Sequence, residues 1–228
     1  MDSLKLALFD MDGTLIDSQG QINMAMNAAF DSAGLKKPSR ASVRSVIGLS
    51  LPNAIEELLP EGSDADLSAM VEVYKDAYAS LHGAEAEAAA PLYPGVIACL
   101  EALAAQENVL LGVATGKSRR GVNRVFDTYD IERFFQTVQV SDNHPSKPHP
   151  AMVQSALSET GVEPQDAVMI GDTSFDMDMG RAAGVHILAV DWGYHSAEQL
   201  TKSKPDAMAH DYCDVPDLLN GLWGQTNE

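Results

Sequence analysis

The sequence predicts an α/β protein in which a doubly wound parallel sheet carries a helical cap domain inserted after its first strand. Three observations lead there. The apolar run over residues 4–9 stops abruptly at Asp10-Met11-Asp12-Gly13-Thr14; a nearly unbroken apolar run is what a strand covered on both faces requires. Between Ile16 and about Ala90 the apolar spacing is helical throughout. From Gly95 onward, strands and helices alternate, the pattern of a parallel sheet with crossover helices. The expected boundaries are a core of residues 1–16 and 92–228 and a cap of residues 17–91.

In chain order, the cap begins with a helix over 21–33, whose Ile22, Met26, Ala29, Phe30 and Ala33 share a face, stopped by Gly34. Two shorter helices over 42–47 and 52–59 flank Gly48, and a longer one spans 64–81, with Ser63 or Asp64 as its cap. The polar, alanine-rich stretch 83–91 and the turn Leu92-Tyr93-Pro94-Gly95 form a return linker beside the outward linker 16–19. Paired linkers suit a lid that opens and closes, or a rigid helical lobe. The core then reads helix 96–106, strand 109–114, helix 119–129, strand 135–140, helix 150–160, strand 168–170, helix 174–183 and strand 186–190. An edge strand over 207–209 and a helix near 215–223 close the chain.

Composition narrows the function. The chain has 228 residues, 45% of them apolar, enough for a substantial core, and a formal net charge of -18. That charge opposes a nucleic-acid or anionic-membrane partner and leaves an anionic substrate in need of local positive charge. Cys99 and Cys213 have no metal-ligand spacing and read as thiols in a reducing compartment. No segment approaches 18 uninterrupted apolar residues, and the N-terminus shows neither a basic region nor a cleavage site, so a cytoplasmic protein is expected.

Asp10-Met11-Asp12-Gly13 admits three readings. One is a solvated turn. A calcium loop starting at Asp10 would need Gly and Glu where Leu15 and Gln21 stand, and is rejected. The third is a nucleophile and a proton donor sharing a divalent metal. Ligands of such sheets bind beyond the carboxyl ends of the strands, so the other strand ends are informative. Thr115-Gly116 follows a strand and opens a helix, fit for a phosphate oxygen or for an ordinary N-cap. Lys147 sits in Ser146-Lys147-Pro148-His149-Pro150, where prolines restrict the loop; it would offset nucleophile and phosphoryl charge, or be surface charge. Asp172 and Asp176, in Gly171-Asp172-Thr173-Ser174-Phe175-Asp176, supply further carboxylates for a hard cation, and Asp178 is expected to face away.

With Asp/Asp, Thr, Lys and Asp/Asp on four strand ends, the chain resembles the haloacid dehalogenase superfamily, whose four motifs match Asp10-Met11-Asp12-Gly13-Thr14, Thr115, Lys147 and Gly171-Asp172 with Asp176. In detail it is similar to the phosphoglycolate-phosphatase-like branch through Val43-Arg44-Ser45-Val46-Ile47-Gly48-Leu49-Ser50-Leu51 and Leu92-Tyr93-Pro94-Gly95. The resemblance implies a Rossmann-like core and a Mg²⁺-dependent phosphatase of a small phosphomonoester. Asp10 would be the nucleophile and a metal ligand, and Asp12 the general acid/base, lending its backbone carbonyl to Mg²⁺. Asp172 would bind the ion directly, Asp176 directly or one layer out. Gly13, Thr14, Thr115, Gly116 and Arg44 would contact substrate, Arg44 through a second anionic group or else as a solvated cap residue. His144, His149 and His195 are expected to be structural or solvent-facing. The partner would be a small phosphorylated metabolite, with no nucleic acid and no membrane, and the chain a monomer or homodimer. The alternatives are a β-phosphoglucomutase-like phosphosugar mutase, a pyrophosphatase, or a regulatory binding module on the same scaffold.

Overall fold

The computed structural model describes residues 3–81 and 90–224. Six strands form one parallel sheet: β1 (Lys5–Phe9), β2 (Val109–Thr115), β3 (Phe135–Val140), β4 (Ala167–Gly171), β5 (His186–Val190) and β6 (Ala207–Ala209). Their spatial order is β3-β2-β1-β4-β5-β6. The order reverses direction between β1 and β4, the switch point where the carboxyl ends of an open sheet leave a crevice.

Alternation along β1 shows how the sheet divides the core. Ala7 and Phe9 face one hydrophobic cluster, Leu6 and Leu8 the other. The first is filled by α5 (Val96–Ala104), α6 (Arg119–Tyr129) and α10 (Val215–Trp223). The second is filled by α7 (Ala151–Thr160) and α8 (Ser174–Ala183). A strand buried on both faces must be apolar throughout, and residues 6–9 are wholly buried. The short α9 (Ala197–Lys202) was not expected from sequence; it is capped reciprocally by Ser196 and Gln199 and buries only Leu200, so it leaves no periodic signature.

Between β1 and α5 lie four helices, α1 (Gln19–Ser32), α2 (Arg40–Val46), α3 (Leu51–Leu58) and α4 (Leu67–Ser80). Their apolar faces meet in a separate cluster around Met26, Phe30, Val43, Ile55 and Met70. Asp66, not Ser63 or Asp64, caps α4, its side chain accepting from the Ala69 N–H. The chain enters and leaves this helical segment side by side: the Asp17 N–H donates to the Pro91 carbonyl and the Tyr93 N–H to that of Leu15. Most of the expected linker 83–91 lies outside the described residues. Among the described residues no helix is long and apolar enough to cross a membrane, and both cysteines are free.

Candidate active site

Two strand ends at the switch point, with the helix that follows the second, bring the acidic residues together. Asp10 leaves β1 with its N–H bonded to the Ile170 carbonyl of β4. Asp172 follows β4, and Asp176 sits in the first turn of α8. One carboxylate oxygen from each of Asp10, Asp172 and Asp176 lies within 4.8 Å of the others, and all three residues are buried. Lys147, its side chain wholly buried, approaches Asp10 Oδ1 at 2.9 Å and Asp176 Oδ1 at 2.6 Å.

Each carboxylate is held differently. Asp176 closes the cap of α8: its Oδ2 accepts from the Thr173 N–H at 3.0 Å and the Thr173 hydroxyl at 2.7 Å. Asp172 accepts from the Thr14 hydroxyl at 2.8 Å and from the Tyr194 N–H at 2.8 Å. Neither oxygen of Asp10 accepts a well-aligned hydrogen bond from any described residue. Three buried carboxylates against one lysine leave an excess of negative charge, and burying unneutralised charge is costly. Burial accordingly raises the Asp10 pKa from 3.8 to about 7, Lys147 pulling it down and Asp176 and Asp12 adding to the rise. Burial, then Asp176 and Asp10, push Asp172 well above the carboxylate range. The Lys147 charge is opposed by burial but sustained by Asp10 and Asp176, with a net upward shift. An all-oxygen set with unsatisfied acceptors and surplus charge fits a hard divalent cation.

Asp12 is kept apart from this cluster. Its carboxylate accepts from the Ser18 hydroxyl at 2.6 Å and pairs with Lys117 Nζ at 2.7 Å. Lys117 also donates to the Tyr78 hydroxyl of α4 at 3.1 Å and lies over that ring. Burial works against the Lys117 charge, and Asp12 and Tyr78 more than restore it. Sequence reasoning gave Lys117 and Ser18 no role. Lys117 was visible as the one cation beside Thr115 on a strand end, but its partner was not.

A cavity of about 600 Å³ opens on Asp10, Asp12, Thr115 and Gly116, walled by Ile22, Met26 and Leu49 from the helical segment. This size is usual for small-molecule sites. Thr115 is buried, and its Oγ1 accepts from the Lys117 N–H at 3.2 Å. Gly116 allows the helical segment to approach: a Cβ there would lie 2.5 Å from the carbonyl oxygens of Gly48 and Leu49.

Three of the candidate substrate contacts have other partners among the described residues. Thr14 is fully buried, and its hydroxyl is engaged by Asp172, so it orients a carboxylate and does not line the cavity. Gly13, at φ +90, is glycine because a Cβ would lie 2.2 Å from Asp172 Oδ2; it makes room for that side chain. Arg44 does not line the cavity either; its Nε and Nη2 donate to the carbonyls of Tyr194 and Gly193, tying α2 to the loop after β5. A guanidinium with two buried carbonyl acceptors would have to forfeit both to reach a substrate. Asp178 is exposed and paired with Arg181. His195 accepts from the Ser174 N–H and packs on Phe175, and His144 pairs with Gln139, consistent with structural roles.

A family model described as haloacid dehalogenase-like hydrolase matches residues 7–190. Phosphoglycolate phosphatase 1 of Pseudomonas aeruginosa is 28% identical over 222 residues, spanning 92% of this chain and 78% of its own. Pyrophosphatase PpaX of Bacillus pumilus is 31% identical, spanning 93% of this chain and 95% of its own. A solved haloacid dehalogenase-like hydrolase from Streptococcus pneumoniae superposes with TM-score 0.80 at 28% identity, over 96% of this chain and 99% of its own.

Proposed function

The chain belongs to the haloacid dehalogenase-like hydrolase family, and from that premise we propose that it is a Mg²⁺-dependent phosphatase of a small phosphomonoester, working through an aspartyl-phosphate on Asp10. The observation that carries this reading is Asp10 itself: a buried carboxylate with no aligned hydrogen bond, set between two further carboxylates and a lysine, at the mouth of a cavity. Mg²⁺, held by Asp10, Asp172 and Asp176, would supply positive charge against the phosphoryl oxygens.

In the first step an Asp10 oxygen attacks phosphorus, the bond to the ester oxygen breaks, and Asp12 gives that oxygen its proton. In the second, Asp12 takes a proton from water, the water oxygen attacks phosphorus, and Asp10 is released with inorganic phosphate. Lys147 offsets charge on Asp10 as the anion approaches, and Thr115 with the Gly116 N–H holds phosphoryl oxygens. Lys117 and Ser18 fix the Asp12 side chain. Residues 17–91 act as a cap that closes over the cavity and opens for release. A cytoplasmic location, a small phosphorylated metabolite as partner, and a monomeric or homodimeric state complete the proposal.

Phosphate release from a panel containing phosphoglycolate, phosphosugars, nucleotides and pyrophosphate, with Mg²⁺ and with chelator, tests it directly. Metal-dependent release from at least one member is expected. Transfer to a second acceptor without net release would favour a mutase, and no turnover by folded, Mg²⁺-loaded protein would remove the enzymatic reading.

The metal assignment has a second readout. A carboxyl whose folded pKa is raised, as for Asp10 from 3.8 to about 7, stabilises the fold relative to higher pH: its contribution is complete below about 3.8 and lost as pH rises through 7. Asp172 shifts in the same direction. Chelated protein should therefore lose thermal stability between about pH 5 and 8. Mg²⁺ at about 100 times its Kd should restore roughly 2.7 kcal/mol, or about 5–10 °C in Tm, with a larger increment at pH 8 than at pH 5. Melting curves showing no Mg²⁺ increment at pH 8 would dismiss the carboxylate cluster as an ion site.

A further inference from the structure

The charges lining the cavity do not cancel where they should. Lys75 is paired with Glu72, Lys117 with Asp12, and Asp142 accepts the Arg119 N–H. Arg120 and Arg124 line the same cavity, and neither guanidinium has a hydrogen-bond or ion-pair partner among the described residues. They stand four apart on α6, so they share one face of the helix, where like charges repel. Arg120 also falls in the first turn, which has no acidic residue and where the helix dipole is already positive. This placement costs the helix stability. It does so in a chain of net charge -18, with acidic residues available to pair every cation.

We infer that Arg120 and Arg124 form a subsite for a second anionic group on the substrate, at the end of the molecule opposite the phosphoryl group held at Asp10 and Thr115. The inference rests on the phosphatase reading for the direction in which the substrate lies. It names the substrate class as a phosphomonoester bearing a second anion, a carboxylate or a second phosphoryl group. Planar guanidinium forks suit either group, because both offer paired oxygens. The apolar wall of Ile22, Met26 and Leu49 would cover the short link between the two anions. Arg44, fixed on backbone carbonyls, leaves this role open.

Matched pairs of probes differing by one charge test the subsite. Phosphoglycolate is compared with its methyl ester, and ethylene bisphosphate with hydroxyethyl phosphate, on Mg²⁺-loaded full-length protein. The charged member of at least one pair should be favoured in kcat/KM by about tenfold or more, and Arg120→Gln with Arg124→Gln should abolish that preference. The pair that shows it identifies the second group. Arg120→Lys with Arg124→Lys should retain a measurable share of it, which a purely structural role would not require. Calorimetric binding of phosphonoacetate against its carboxyl methyl ester provides a readout without turnover. If that binding preference exists and is lost in the glutamine variant while no ester is hydrolysed, the phosphatase reading fails and the subsite stands. If charged and neutral esters are turned over equally, or the preference survives in the glutamine variant, the subsite is overturned and the phosphatase reading stands.

Discussion

Asp10→Asn is expected to lower turnover of every substrate by about 10⁴-fold or more while leaving the metal-free protein at least as stable as the parent. The loss follows from the role: a carboxamide cannot form the acyl-phosphate, and removing a covalent nucleophile leaves only positioning and charge stabilisation. The stability half follows from the structure. Asp10 is buried, neither of its oxygens accepts an aligned hydrogen bond, and burial pushes its pKa to about 7. Removing that charge relieves a penalty that folding otherwise carries. Lys147 keeps Asp176 as a partner at 2.6 Å, so the substitution does not strand the lysine. Turnover assays and melting curves in chelator check both halves. Activity within tenfold of the parent would remove Asp10 as the nucleophile, and a fall of several degrees in Tm would contradict the electrostatic account.

Lys147→Met should have the largest effect on stability. The side chain is wholly buried and is the cation between Asp10 and Asp176. Methionine keeps most of the volume, so the effect is electrical. Removing one partner from a buried ion pair costs about 3–5 kcal/mol. In a chain of this length that is roughly 6–20 °C in Tm. The cost should depend on pH. Without Lys147, which lowers the Asp10 pKa, that carboxyl titrates above 7 and takes up a proton as pH falls. The deficit should thus shrink from pH 8 to pH 5, and adding Asp10→Asn to Lys147→Met should recover part of it at pH 8. Melting curves of the single and double variants settle the matter; a Tm equal to the parent's at pH 8 would show that Lys147 does not hold the carboxylates together.

The strands and most helices were legible because their signals are local. Burial on both faces leaves residues 6–9 of β1 and the whole of β4 no polar position, and the helices over 119–129 and 174–183 carry their apolar spacing openly. Asp10 and Asp172 were legible for the same reason, each standing just past a strand end, with Lys147 and Asp176 in the segments that follow β3 and β4; the parallel sheet brings such ends to one edge. Local signals failed where a side chain's partner is distant in sequence. Arg44 reads as a cap cation until its acceptors prove to be carbonyls 149 and 150 residues away. The packing of Thr14 and Gly13 against Asp172 likewise joins residues 158 or more positions apart, which no local pattern shows.

Sequence alone thus determined the sheet, the helical segment between β1 and α5, and which acidic residues meet, because hydrophobic period and strand ends are properties of neighbouring residues. Only the tertiary structure decided how those residues are charged and shared. It paired Lys117 with Asp12, placed Tyr194 of the core loop in the apolar cluster of the helical segment, and left Arg120 and Arg124 lining the cavity without partners among the described residues. The reason is physical: a pairing between distant residues depends on burial and distance, which a sequence pattern does not contain until the chain has folded.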